Sequence, residues 1–282
     1  VLFVAAAAVA WSSAGVLTRA IAASAGTQLF WRAFFAGLAL LVVVVVQSRG
    51  RPGGQFRALG PVGLGVALCF ATASSAFMLA LGETTVARVL FIQAASPFIA
   101  AALAWALMKE RVPRRTRLAM TASLVGVGVM LGASLGGGSP KGDLLALLMA
   151  TAFAAAIVLT RLRRDVSMTP ATCLAMLLVA VVAAPLTDPM SASGHDVALL
   201  AVFGAGQMCL GLSLFAVGAR LIPAGEAGLI TVLEVVLGPV WVWIAYAERP
   251  DRATLLGGAI VLAAVVLHAA VDFRGERGLA SG

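Results

Sequence analysis

Apolar runs of about 18 to 25 residues succeed one another along the chain, parted by short polar connections. Each run is long enough, as a helix, to cross a hydrocarbon layer ~30 Å thick. Ten spans are predicted, at Val1–Leu17, Thr27–Val46, Leu59–Leu81, Val86–Met108, Leu118–Leu135, Leu144–Thr160, Thr172–Leu186, Val197–Ala219, Ala227–Ala247 and Leu255–Val271. The clearest interruption is "GGGSPKGD", residues 136–143. Its glycines and proline end one helix, and Asp143 stands where it can cap the next.

One stretch occurs twice. "FIQAASPFIAAALAWALMKER", residues 91–111, returns as "LITVLEVVLGPVWVWIAYAER", residues 229–249, each with a proline inside and Glu-Arg at its end. A shift of 138 residues lays Glu110–Arg111 on Glu248–Arg249, Thr116 on Thr254, Ile92 on Ile230, Gln93 on Thr231 and Ser96 on Glu234. Each half then holds five spans, and because five is odd the second copy enters the membrane from the opposite side. The expected fold is an all-α membrane protein of ten transmembrane helices built as two inverted five-helix repeats, residues 1–136 and 140–282. Such repeats are an architecture in which two halves rock around a site between them.

Composition agrees. Residues are 61% hydrophobic and 11% charged, with mean hydropathy +1.04, too little charge to cover a soluble surface. Nearly every residue falls in a span or a short connection, which leaves no room for a soluble catalytic domain. The net charge of +8 does not imply nucleic acid, because the basic residues sit in short connections. Fourteen of them (Arg49, Arg51, Arg57, Lys109, Arg111, Arg114, Arg115, Arg117, Arg161, Arg163, Arg164, Arg220, Arg274 and Arg277) fall on one side of the predicted topology. Four (Arg19, Lys141, Arg249 and Arg252) fall on the other, which places both termini in the cytoplasm and requires an even number of spans. Cys69, Cys173 and Cys209 lie far apart in apolar runs and read as buried thiols without metal spacing. The opening at Val1, without methionine and already in apolar sequence, reads as a true start lying upstream.

A proline-bearing span, then Glu-Arg, then the Gly-rich "LVGVGVMLG" resembles the EamA-type members of the drug/metabolite transporter superfamily. Trp11 in the first span, Arg32 in the second and "GDLLALLMATAFAAAIVLTR" opening the second half are similar too. The likeness spans essentially the whole chain and is nearest to bacterial amino-acid exporters of the YddG type. It implies ten helices, inverted halves, a bacterial inner (plasma) membrane, and export of small metabolites or amino acids. It further implies a central cavity from spans one, three, four, six, eight and nine. The halves have diverged: Val235 stands where Pro97 has its counterpart, Pro239 comes one turn later, and Met176 lies near the counterpart of Arg32.

The polar groups worth following are few. Gln93 and Ser96 are three residues apart, as are Thr231 and Glu234, so each pair shares a face, and the two faces, related by the repeat, suggest the walls of one central cavity. Pro97 and Pro239 each remove a backbone donor and mark hinge positions. The competing reading is helix–helix contact through their hydrogen bonds. Glu234 is the one carboxylate well inside a predicted span, where an ionised group must be paired or hydrated; it suits a substrate amine or an exchanged proton. Arg32, with Gln28 and Trp31 beside it, reads as an interfacial arginine reaching for the headgroups, and Glu83 and Arg88 likewise. Trp11, Ser12 and Ser13 of span one, Phe70, Ser74, Phe77 and Met78 of span three, Gln207 and Met208 of span eight and Trp241 of span nine complete the candidate cavity lining. An aromatic wall with few polar anchors suits amino acids or amphipathic metabolites. The shortage of internal Lys and Arg disfavours phosphorylated substrates.

Enzyme readings fail on context. "GASLG", residues 132–136, matches a nucleophile pattern but follows a helix rather than a strand. His195 and His268 have no evident Ser or Asp partner, and no phosphate loop for ATP exists. An intramembrane enzyme would need a convergent constellation at one depth, which the sequence lacks. The expected protein is a secondary transporter with a small-molecule substrate, the lipid bilayer as its other partner, no cofactor and no nucleic acid. A broad-specificity drug exporter is its nearest rival.

Overall fold

The computed structural model describes residues 1–84, 86–132, 139–247 and 252–280, and all regular structure in them is helical. Glu248–Arg249, residues 136–138 of the linker and residues 133–136 of the GASLG match lie outside the described residues.

The first half holds α1 (Leu2–Ser12), α2 (Ala14–Arg19), α3 (Ala25–Gln47), α4 (Pro52–Ala58), α5 (Gly60–Glu83), α6 (Val86–Gln93), α7 (Ser96–Met108) and α8 (Arg114–Leu131). The second holds α9 (Pro140–Leu162), α10 (Thr169–Ala183), α11 (Gly194–Ala201), α12 (Cys209–Gly218), α13 (Ala224–Thr231), α14 (Leu233–Tyr246) and α15 (Arg252–Ala280). A π-helical turn, Val202–Met208, joins α11 to α12. Seven helical segments are long and apolar enough to cross a membrane: Ala25–Gln47, Gly60–Glu83, Arg88–Met108, Pro140–Leu162, Thr169–Leu186, Gly194–Gly218 and Ala224–Tyr246. Large apolar side chains point outward from them, Leu68 at 58% exposure and Val181 at 71%, as a surface solvated by lipid requires.

Helix starts follow local chemistry. Ser24 accepts from the Thr27 amide at 3.2 Å, and Ser193 from the Asp196 amide at 3.1 Å. The start of α9 corrects the sequence expectation. Ser139, not Asp143, is its cap, accepting from the Gly142 amide at 3.0 Å, with Pro140 opening the first turn. Asp143 is left free to pair with Arg88 across the α6–α9 contact.

The repeat governs how the helices pack. α3 lies on α10, α8 on α15 and α7 on α13, so three spans meet their own counterparts. α5 packs on α9 while α12 packs on α1, two contacts that exchange when the halves are swapped. That pattern is the signature of a two-fold relation between the halves. Helix ends repeat as well: Lys109 closes α7 with φ 56°, and Ala247, 138 residues on, closes α14 with φ 55°. Both are left-handed stops just ahead of the Glu-Arg positions.

Both long proline spans are broken, the first in the turn ahead of Pro97 and the second away from Pro239. The first break is Ala94–Ala95, with Pro97 in the opening turn of α7. The second is Val232, the counterpart of Ala94, while α14 runs through Pro239. At each break an amide reaches back three residues instead of four, Ala95 to the Ile92 carbonyl at 3.1 Å and Val232 to the Leu229 carbonyl at 3.2 Å. The first span also breaks, at Ser13 between α1 and α2.

Glycine sets the closest helix approach. A Cβ on Gly126 of α8 would lie 2.8 Å from the Gly257 carbonyl oxygen of α15, and one on Gly257 would lie 2.6 Å from the Met130 amide nitrogen. Backbone atoms cannot step aside, so Gly257→Leu must separate the two helices. The expected cost is on the order of 3 kcal/mol, read as a lower unfolding midpoint in detergent, with Ala intermediate.

Candidate functional site

A cavity of about 140 Å³ lies between the halves, walled by α1, α2, α3, α5, α6, α9, α10, the π turn, α12 and α14. Its apolar side is a ring cluster. Trp11 sits 5.3 Å from Phe215 and 6.2 Å from Phe153, and Phe70 sits 6.2 Å from Phe153, all centroid to centroid and inclined rather than face to face. Phe77, Met149, Met176 and Met208 extend this wall. Gly211 makes room for the indole, since any Cβ there would fall on Trp11.

The polar groups come from both halves: Arg32, Ser74 and Gln93 from the first, Gln207 and Glu234 from the second. Arg32 is 9% exposed, donates from Nη2 to Ser74 Oγ at 3.3 Å, and carries its guanidinium 5.4 Å from the Phe203 ring centroid. Gln207 donates from Nε2 to the Trp11 carbonyl at 2.9 Å, at the point where the first span breaks. Because a carbonyl can only accept, that bond fixes the amide orientation and presents Oε1 as the other end. Gly204 lets the π turn approach α3, since a Cβ there would strike the Arg32 carbonyl and Phe35. Arg32 and Glu234 face the same cavity from different halves.

Arg32 corrects the interfacial reading. It begins eight residues into α3, but the chain around Pro189 folds over the start of that helix. Trp31 Nε1 donates to the Pro189 carbonyl at 2.8 Å, and Thr27 Oγ1 to the Asp188 carbonyl at 3.0 Å. Trp31 and Gln28, which bonds the Ala23 carbonyl at 2.8 Å, hold this end, while Arg32 points to the cavity. Glu83 and Arg88 do lie at helix ends, paired with Lys141 at 2.6 Å and with Asp143.

Of the residues singled out in the sequence, Trp11, Phe70, Ser74, Phe77, Gln93, Gln207, Met208 and Glu234 line this cavity. Ser12, Ser13, Met78, Ser96, Thr231 and Trp241 do not. Ser13 Oγ bonds the Ala10 carbonyl at 2.8 Å; Ser12 Oγ bonds the Val9 carbonyl at 2.6 Å and accepts from Trp241 Nε1 at 2.7 Å, fastening α14 to α1. Met78 packs against the core, Ser96 is buried, and Thr231 Oγ1 turns back to the Gly228 carbonyl at 2.6 Å. The reason the pairs split is the helix break. Ala94–Ala95 interrupts Gln93 and Ser96, and Val232 interrupts Thr231 and Glu234, so three-residue spacing no longer means a shared face.

Arg32, Met149, Phe153, Met176 and Phe203 join the wall without having been picked as lining residues. Arg32 of α3 and Met176 of α10 face the same space. His268 has a carboxylate neighbour as well, its buried Nε2 lying 3.9 Å from Oε1 of the largely covered Glu226. Forty-two residues separate them, and no spacing rule connects them.

A solved structure described as the crystal structure of a protein matches with TM-score 0.82 and 19% sequence identity, over 96% of each chain. That likeness establishes the fold. No curated protein matches this chain. The EamA-like transporter family model matches twice, at residues 1–132 and 140–269. Taken with seven membrane-length helices and a cavity walled by both halves, the double match places the chain in the EamA-like transporter family, multi-pass membrane transporters of small molecules rather than enzymes.

Proposed function

We propose that this protein is a secondary transporter exporting amino acids, aromatic and neutral ones foremost, or related small metabolites, as YddG-type exporters do. It works by alternating access: two inverted five-helix halves, residues 1–136 and 140–282, expose the cavity first to one side and then to the other. The chain crosses the membrane ten times, α1, α8 and α15 adding to the seven candidate spans. The observation that carries the reading is the cavity itself: opposite charges, Arg32 and Glu234, drawn from different halves onto one aromatic wall. Its volume, about 140 Å³, favours an amino-acid-sized solute over a bulky drug. The test is a radiolabelled panel in proteoliposomes. Accumulation of amino acids or similarly small metabolites supports the reading; accumulation of large cationic drugs alone, with no small metabolite carried, replaces it with the drug exporter.

The arginine asymmetry further supports a bacterial inner membrane with both termini cytoplasmic and the connections holding Lys141 and His195 outside. On intact cells an impermeant thiol reagent should label Ser193→Cys and reach Arg115→Cys only after permeabilisation. The reverse pattern turns the topology over.

A further inference from the structure

We infer that the cavity recognises both ends of an α-amino acid zwitterion, Arg32 with Ser74 taking the carboxylate and Glu234 with the side-chain oxygens of Gln93 and Gln207 taking the ammonium. This rests on the export reading above and narrows it to one substrate class, α-amino acids with apolar side chains.

The wall holds hydrogen-bond donors and acceptors together. Arg32 is the cation of the cavity lining, and a guanidinium carries five N–H donors in a planar fork. Ser74 Oγ engages one of them, at 3.3 Å, and Phe203 covers a ring-face contact rather than a hydrogen bond. The remaining edge suits a carboxylate, which matches a guanidinium fork through paired bonds.

The same lining holds acceptors. Gln93 Oε1 and Gln207 Oε1 are both buried without a hydrogen-bond partner. A buried unpaired acceptor is costly, and two in one cavity point to a group that arrives with its own donors. For Gln207 the assignment is firm, because Nε2 is committed to the Trp11 carbonyl. Glu234 adds a carboxylate to the same wall. Three acceptors answer the three N–H bonds of an ammonium. The same wall carries the Trp11, Phe70 and Phe153 rings, a surface for an apolar side chain. A free amine would leave Arg32 without its partner, and a simple carboxylic acid would leave the three acceptors unmet.

Purified protein in detergent would be titrated with L-phenylalanine, L-phenylalaninamide, which lacks the carboxylate, and N-acetyl-L-phenylalanine, which lacks the ammonium. Binding would be read by thermal shift, and proteoliposome transport measured alongside. Wild type should prefer the zwitterion over each capped analogue by on the order of tenfold or more. Arg32→Gln should erase the preference over the amide while leaving that over the N-acetyl compound; Glu234→Gln should do the opposite. Should Arg32→Gln fail to fold, Arg32→Lys keeps the charge and should keep part of the carboxylate preference, and the wild-type comparison stands by itself. Equal binding of all three ligands by wild type, or equal loss of all three in either variant, overturns the two-ended assignment. The export reading survives that outcome if small metabolites are still carried, and falls separately if only bulky drugs are.

Discussion

Glu234→Gln should express and fold like wild type and lose at least tenfold in transport, or lose whatever pH dependence wild-type transport shows. Glutamine preserves the length of the side chain and its ability to hydrogen-bond, so packing around α14 is retained while the titratable charge is deleted. The charge matters because of where it stands. Glu234 follows the Val232 break, and that break turns it toward the cavity and away from the face of Thr231. A carboxylate in a water-poor site attracts an ammonium far more strongly than the same group in water, and when neutral it can exchange a proton with the solution instead. Either use disappears in the amide. The measurement is initial-rate transport in proteoliposomes at several values between about pH 5 and 8. Transport by Glu234→Gln that matches wild type at every pH makes the residue structural and shifts the polar site to Arg32, Ser74 and the two glutamines.

Much of this arrangement is legible in the chain because hydrophobic thickness and repetition are properties of sequence. Each seven-candidate span follows from a long apolar run, and helix limits in the structure stay within a few residues of those runs: Ala25–Gln47 against Thr27–Val46, Gly194–Gly218 against Val197–Ala219. The 138-residue shift that aligns the Glu-Arg pairs also relates Lys109 to Ala247 and the Ala94 break to Val232. What it does not reveal is which way a side chain turns after a break. Helical periodicity assumes an unbroken helix, and Gln93/Ser96 and Thr231/Glu234 straddle the two places where that assumption fails. Arg32 escaped for a different reason. Its distance from the end of the span suits a snorkelling arginine, and only the segment around Pro189, more than 150 residues later, covers that end and leaves the guanidinium inside. Contacts of that range carry no local signal.

Gly228→Leu should cost transport tenfold or more, whereas Pro97→Ala should remain within a few-fold of wild type. Proline is the usual suspect for a bend, since it lacks a donor and crowds the preceding turn. Here the second break occurs with Val235 at the proline's equivalent position, so the break does not depend on a proline at that site. What the two breaks share is their crossing. Gly228 of α13 lies against Pro97 of α7, where an added Cβ would stand 2.9 Å from the Pro97 Cα, and Gly225 one turn away faces Ala101. Small surfaces at both points let the backbones of the two broken helices come together, one from each half, and a leucine there meets backbone that cannot yield. If transport requires these helices to move against each other, wedging them apart removes the movement while the distant α3–α10 and α8–α15 contacts still hold the protein together. The variants would be compared for transport rate, with gel-filtration profile and unfolding midpoint in detergent as controls. A monodisperse Gly228→Leu protein that transports normally would rule out the crossing as a moving part, and a Pro97→Ala protein that loses transport while keeping its fold would return the hinge to the proline.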